Sequence, residues 1–127
     1  NYIEKKDNAD KFQIVPTHYA TRFAIKKTMN YTVLELLGNK NNSEVTATFV
    51  LYKNQKPTYS ENAYYIKTPV KRVACMSSIY SAMLSKLKCE QAIVAIDNVD
   101  FYTNSFIKNK VKEKKIIEII LSVFQFR

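Results

Sequence analysis

Glycine is almost missing from this sequence: Gly38 is the only one in 127 residues. That excludes a Gly-rich phosphate loop and the Gly-x-Ser-x-Gly elbow of a hydrolase. It leaves the turns to Asn, Asp, Pro and Lys, of which Asn tolerates left-handed backbone best after Gly. Histidine is as scarce. His18 stands alone, far in sequence from either cysteine, and is expected on the surface or an edge strand. Cys75 and Cys89 are too few for a disulfide framework and lack metal-ligand spacing. If Val73–Met76 is a strand and Ile79–Lys88 a helix running back across it, about 15 Å of helix separates the thiols. A disulfide needs Cα atoms within roughly 7 Å, so two reduced, largely buried thiols are expected. No apolar run reaches the roughly 20 residues of a membrane helix. Ile116–Phe126 comes nearest, and it contains Glu118. The chain begins at Asn1 without the charged and apolar regions of a signal peptide. That fits a mature form whose signal has been removed, or a trimmed chain.

What is present argues for a folded domain, or part of a larger one. Hydrophobic residues make up 46% of the chain, which argues against disorder, and nine Tyr and seven Phe supply much of that surface. The net charge is +9, and much of the excess lies in Lys108–Lys115, five lysines against one glutamate. Such a run is either a solvated helix face and turn or an anion-binding patch for nucleic acid, lipid head groups or an acidic partner.

Residues 1–11 are polar and read as a flexible leader. From about 12 to 67 the pattern is that of antiparallel strands with period 2. Phe23 and Ile25 alternate with Arg22, Ala24 and Lys26; Tyr31, Val33 and Glu35 alternate with Thr32, Leu34 and Leu36. Thr28–Asn30 between them suits a tight hairpin. Val45, Ala47, Phe49 and Leu51 alternate with Thr46, Thr48, Val50 and Tyr52, and 63–67 reads as a short further strand. After Pro69 the pattern changes. Short apolar runs at 72–76, 92–96 and 115–121 read as buried strands. Ile79, Ala82, Met83, Leu84 and Leu87 recur at helical steps, and a short helix capped by Asn104 follows. The fold class is therefore α/β: an antiparallel β section over about 12–67, then a partial parallel βαβαβ lobe over about 70–121.

Ser77 and Ser78 fall where the first buried strand ends and the helix begins. One hydroxyl suffices to cap the helix, which leaves the second free to face outwards. The carboxyl ends of parallel strands beside helix amino termini are where open α/β sheets bind ligands, and the helix dipole favours negative groups there. The second strand ends at Asp97 and Asn98, on the same rim if the strands are parallel. Asp100, Tyr102 and Asn104 follow, and the Tyr offers a flat face and a hydroxyl. The bland alternative is a cap, Asn/Asp turn chemistry and a partly buried Tyr.

Over these residues the chain resembles periplasmic substrate-binding proteins of ABC importers, in the group that captures iron-siderophores, haem or cobalamin. Pro69, Arg72, Val73, Ser77, Ser78, Met83, Leu84, Leu87, Ile93 and Val94 carry the resemblance. It spans about residues 17–120. The Tyr-rich section before Pro69 looks like the extension of some lipoprotein members. The resemblance implies a ligand held between two lobes and handed to a membrane permease, without catalysis, resident cofactor or metal. It implies ligand-lining roles for Ser77, Ser78, Tyr80, Asp97, Asn98 and Tyr102, and a periplasmic or cell-surface location, with any lipid anchor on residues outside this chain. Glu90 is a candidate for the acidic residue that docks onto permease arginines. Lys88, Cys89 and Ala95 depart from the pattern, standing at or beside positions where the family has Gly. The family's second lobe is absent. The expected organisation is thus a leader (1–11), a β-rich extension (12–68) and an isolated, truncated N-lobe (69–127). Such a lobe has half a cleft and binds its metal-chelate or corrinoid weakly. It is expected to self-associate through strand edges at Ala92–Ile96 and Lys115–Leu121.

The competing reading is a basic nucleic-acid-binding or protein-interaction module using Lys108–Lys115 and exposed Tyr faces. No nucleic-acid-reading motif accompanies it. An enzyme is not expected: the Ser77–Ser78 pair has no base near it in sequence, and Asp97 with Asp100 has no partner or metal cluster.

Overall fold

The computed structural model describes residues 11–38 and 44–119. The chain divides into two compact units, Asn1–Pro69 and Val70–Arg127. Residues 1–10 of the leader and the tail after Ile119 lie outside the described residues. So do the last two residues of the strand expected at 115–121.

The first unit is one five-stranded sheet in the order β1-β2-β3-β4-β5, with β1 at Gln13–Val15, β2 at Phe23–Lys27, β3 at Tyr31–Leu37, β4 at Val45–Tyr52 and β5 at Tyr64–Lys67. The expected hairpin joins β2 and β3. Thr28 closes it, accepting on its hydroxyl from the amides of Asn30 and Tyr31, both at 3.1 Å. Gly38 sits beside Thr46, whose side chain a Cβ at this position would strike, so the lone glycine marks a close approach of two strands. The β section is antiparallel except at one point: β5 pairs with β4 in parallel, reached by the long 53–63 segment.

Pairing register sorts the side chains into two faces. On one, Tyr31, Val33 and Val50 are buried, with Tyr52, Tyr59, Ala63 and Tyr65 packed on them. The Tyr65 hydroxyl accepts from the amides of Tyr59 and Ser60, each at 3.1 Å, and donates to the Ser60 carbonyl at 3.0 Å. That clamps the 53–63 segment over the sheet. Lys26 and Glu35 form a 2.9 Å ion pair on the same face.

The second unit is the expected parallel βαβαβ arrangement. Strands β6 (Val73–Cys75), β7 (Ile93–Ile96) and β8 (Ile117–Glu118) lie in sequence order and run the same way. Helix α1 (Ser78–Lys86) links the first pair and α2 (Ser105–Lys112) the second, with 3-10 turns at Glu90–Ala92 and Val99–Phe101. The core is Cys75, Ile93, Ile96, Tyr102, Ile107 and Ile116. Strand β7 is the middle strand, paired on both sides, so the edge expected at Ala92–Ile96 does not exist; the edges are β6 and β8.

Both helices end in the same way. The amides of Cys89 and Lys88 donate to the carbonyls of Leu84 (2.8 Å) and Ser85 (3.0 Å), and those of Lys115 and Lys114 to Lys110 (2.9 Å) and Val111 (2.9 Å). This is the double-bonded stop usually built with a left-handed glycine. Here lysine occupies it: Lys88 has φ 56° and Lys114 φ 57°.

The cysteines differ from expectation at one position. Both are free, and Cys75 is buried, but Cys89 is exposed because it falls just past the stop of α1. Burial, with the nearby Asp97 charge, pushes the Cys75 thiol up and keeps it out of its nucleophilic form. An alkylating thiol reagent will therefore modify one cysteine of the native chain quickly and the second only on unfolding. Mass mapping that finds Cys75 modified first, or both at once, contradicts this packing.

Candidate functional site

The rim follows from the register. Cys75 is paired with Ile96, and Ile96 with Glu118, so the three strands end level and their following segments share one edge. Ser77 is the N-cap of α1, its hydroxyl accepting from the Ile79 amide at 3.3 Å. Ser78 is the first helical residue, and its hydroxyl has no partner among the described residues. The second serine is thus spare, as expected. Asn98 caps the 99–101 turn by accepting from the Asp100 amide at 2.9 Å. Glu118 accepts from the Val99 amide at 2.8 Å and pins that turn to the end of β8.

Asp97 and Tyr102 are bonded to one another. The Tyr102 hydroxyl lies 2.7 Å from Asp97 Oδ1 and 3.0 Å from the Cys75 carbonyl. The carboxylate, as the charged and nearer acceptor, takes the proton. The bond holds the Asp97 carboxyl below the usual carboxylate range. Burial first, and then the carboxylate, push the Tyr102 phenol up. Tyr102 is 1% exposed. Its hydroxyl is thus spent on the rim itself, and the side chain ties the end of β7 to the end of β6.

A groove of about 430 Å³ opens beside this bond. One wall is α1, through Ser78, Ser81, Ala82, Ser85 and Lys86; the other is Tyr102, Thr103 and Asn104. Asn104 caps α2, accepting from the Phe106 amide at 2.8 Å, and its side-chain amide donates to Ser85 Oγ at 3.1 Å. Ser81 is buried and donates to the Ser78 carbonyl at 2.8 Å. Among the described residues the lining offers hydroxyls, an amide and one lysine, with no carboxylate. Oxygen-rich, neutral or anionic solutes match it; cations do not.

Of the residues predicted from sequence, Ser78 and Tyr102 line the groove, while Ser77, Asp97 and Asn98 stand on the adjoining rim. Tyr80 stands apart from the groove on α1, exposed. Glu90 is half-buried, with one carboxylate oxygen covered and unpaired among the described residues, so it does not project as a docking acid would. Sequence reasoning missed Ser81, Ser85, Lys86 and Thr103. The small-residue stripe 78, 81, 82, 85 at helical steps was the available signal.

Two other features carry less. A cleft of about 470 Å³ in the first unit lies between Met29–Tyr31 and Lys53–Thr58, but apart from Tyr31 its walls are turn and loop residues, which hold a ligand less rigidly than a helix does. The lysine run covers α2 and its stop, where Glu113 pairs with Lys110 (3.1 Å) and Lys115 (2.8 Å). These are exposed pairs on a solvated surface, worth little energetically. No metal-binding cluster of His, Cys, Asp or Glu occurs among the described residues, and no helix among them is long and apolar enough to cross a membrane. No family model, curated protein or solved structure matches the chain.

Proposed function

We propose that the α/β unit is the first lobe of a solute-binding protein of the ABC-importer kind. It presents one wall of a cleft that captures an iron chelate, haem or cobalamin for delivery to a membrane permease. The observation that carries this reading is the shared rim: parallel strands ending level, with Ser77, Ser78, Asp97 and Asn98 along it and a carboxylate-free polar groove beside it. Ligands of open α/β sheets bind at such rims. The α1 amino terminus has no acidic residue in its first turn, so its dipole is free to favour anionic oxygens. On this reading the rim binds and does no chemistry. A single wall buries about half of the ligand, so its affinity falls in the millimolar range, about −4 kcal/mol.

Amide shifts of the isotope-labelled chain, titrated with cobalamin, gallium protoporphyrin and gallium-loaded chelates, test the reading. The gallium species are diamagnetic stand-ins for the ferric ones. At least one ligand should shift the amides of Ser77–Ser81 and Asp97–Asn104 saturably, and Ser78→Ala should weaken it severalfold. If none perturbs the rim at millimolar concentration, the reading fails. Shifts confined to Lys108–Lys115 on adding a short oligonucleotide, abolished by salt, would favour the basic-module reading.

A further inference from the structure

We infer that the open face of the β1–β5 sheet packs face to face against the same face of a second copy of this chain. The inference does not depend on the rim reading, because it concerns the other unit.

A half-covered antiparallel sheet normally turns its more apolar face inwards. This one does the reverse. The face covered by the 53–63 segment carries Lys26, Glu35, Thr48 and Lys67 beside its buried residues. The register lines up Phe23, Ile25, Leu34, Phe49, Leu51 and Ile66 across the opposite face, from β2 to β5. None of these six is buried. Phe49 stacks on Tyr64 with ring centroids 5.3 Å apart, and Tyr64 is 63% exposed. Contiguous apolar surface of this kind marks a place where something docks.

Its size and charge select the occupant. Four strands about 4.8 Å apart and five residues at about 3.4 Å each give a footprint of roughly 20 by 17 Å. With side-chain relief that is roughly 500 Å² per copy, or on the order of 1,000 Å² in all, the lower bound for a specific interface. A single helix, about 10 Å wide, would cover half of it. A second sheet of the same twist would cover it whole, in an aligned sandwich. Among the described strand residues the face has one charge, Lys27 at a corner of β2 and exposed, so pairing two copies brings no like charges together at its centre. The same lack of cations on the face gives it no grip on an anionic bilayer.

Sedimentation velocity of the full chain, from micromolar to several hundred micromolar, reads the outcome. The wild type should move from monomer to dimer across that range. Leu34→Lys, at a half-buried position in the middle of the face, should stay monomeric, and an unchanged far-ultraviolet circular dichroism spectrum will show that it still folds. Ile117→Lys on the β8 edge and Ser78→Ala at the rim should still dimerise. A wild type that remains monomeric throughout overturns the inference. So does a dimer that survives Leu34→Lys or is dispersed by Ile117→Lys.

Discussion

Replacing Tyr102 by phenylalanine will lower the stability of the α/β unit by about 2 kcal/mol at neutral pH, the usual cost of stripping a partner from a charged hydrogen-bond acceptor. The ring is retained, so packing changes little, while Asp97 and the Cys75 carbonyl both lose the hydroxyl that ties them. The pH dependence distinguishes this bond from simple packing. Asp97 has its pKa depressed in the folded chain, chiefly by the Tyr102 bond. Its contribution is therefore present above the unfolded carboxylate value, about 4, and is lost as pH falls through the folded value. Tyr102 has its pKa raised. Its contribution is full below about 10 and erodes as pH rises beyond that. The gap between wild type and Tyr102→Phe should thus be widest near neutrality and shrink in acid. Both α-helices among the described residues lie in this unit, so urea unfolding followed by circular dichroism at the helical band reports on it selectively. A gap under about 0.5 kcal/mol at pH 7, the scale of an ordinary surface change, or one unchanged at pH 3, removes the bond from the account of the rim.

That bond also marks where sequence reading stops. Strand, helix, strand, helix, strand was legible after Pro69 because apolar runs of strand length alternate with helical spacing, and helical crossovers between such strands make them parallel. Strand order was not legible, because crossover handedness permits more than one, and so the edge expected at Ala92–Ile96 became the centre of the sheet. A common rim for Ser77 and Asp97 followed from the parallel direction alone. Asn104 was legible as a cap because a short polar side chain stood directly before helical spacing. The contact between Asp97 and Tyr102 was not, since it depends on how the 99–101 turn folds back, and no local pattern encodes that. In the first unit the alternation of β2, β3 and β4 assigned residues to faces correctly, but alternation does not say which face is covered. Strand β1, three residues long, is too short to show a period. The parallel docking of β5 is likewise silent, because a strand reached through a long loop can join an edge in either direction.

Helix α1 shows the same limit most sharply, and a pair of substitutions turns it into an experiment. The steps Ile79, Met83 and Leu87 looked like the stripe that packs on a sheet. In the fold those three are exposed, Leu87 at 71%, while Ser81 is buried and Leu84 alone of the apolar set packs against the core. The Ser77 cap fixes where the helix starts, and Ser81, small and with its hydroxyl satisfied by the Ser78 carbonyl, takes the buried side. Rotational setting thus follows from these two residues rather than from summed hydrophobicity. On α2 the opposite holds: Ile107 is fully buried at the centre of the core cluster. Ile107→Ala should therefore cost about 2–5 kcal/mol, the transfer energy of the lost methyl groups plus that of the cavity left behind. Leu87→Ala should cost less than about 0.5 kcal/mol, as for an ordinary surface position. Urea midpoints at constant slope give both values directly. Comparable losses at the two sites would mean that α1 turns its apolar stripe inwards. Ser78, Ser81 and Ser85 would then no longer face Asn104, and the groove beside the rim would not exist.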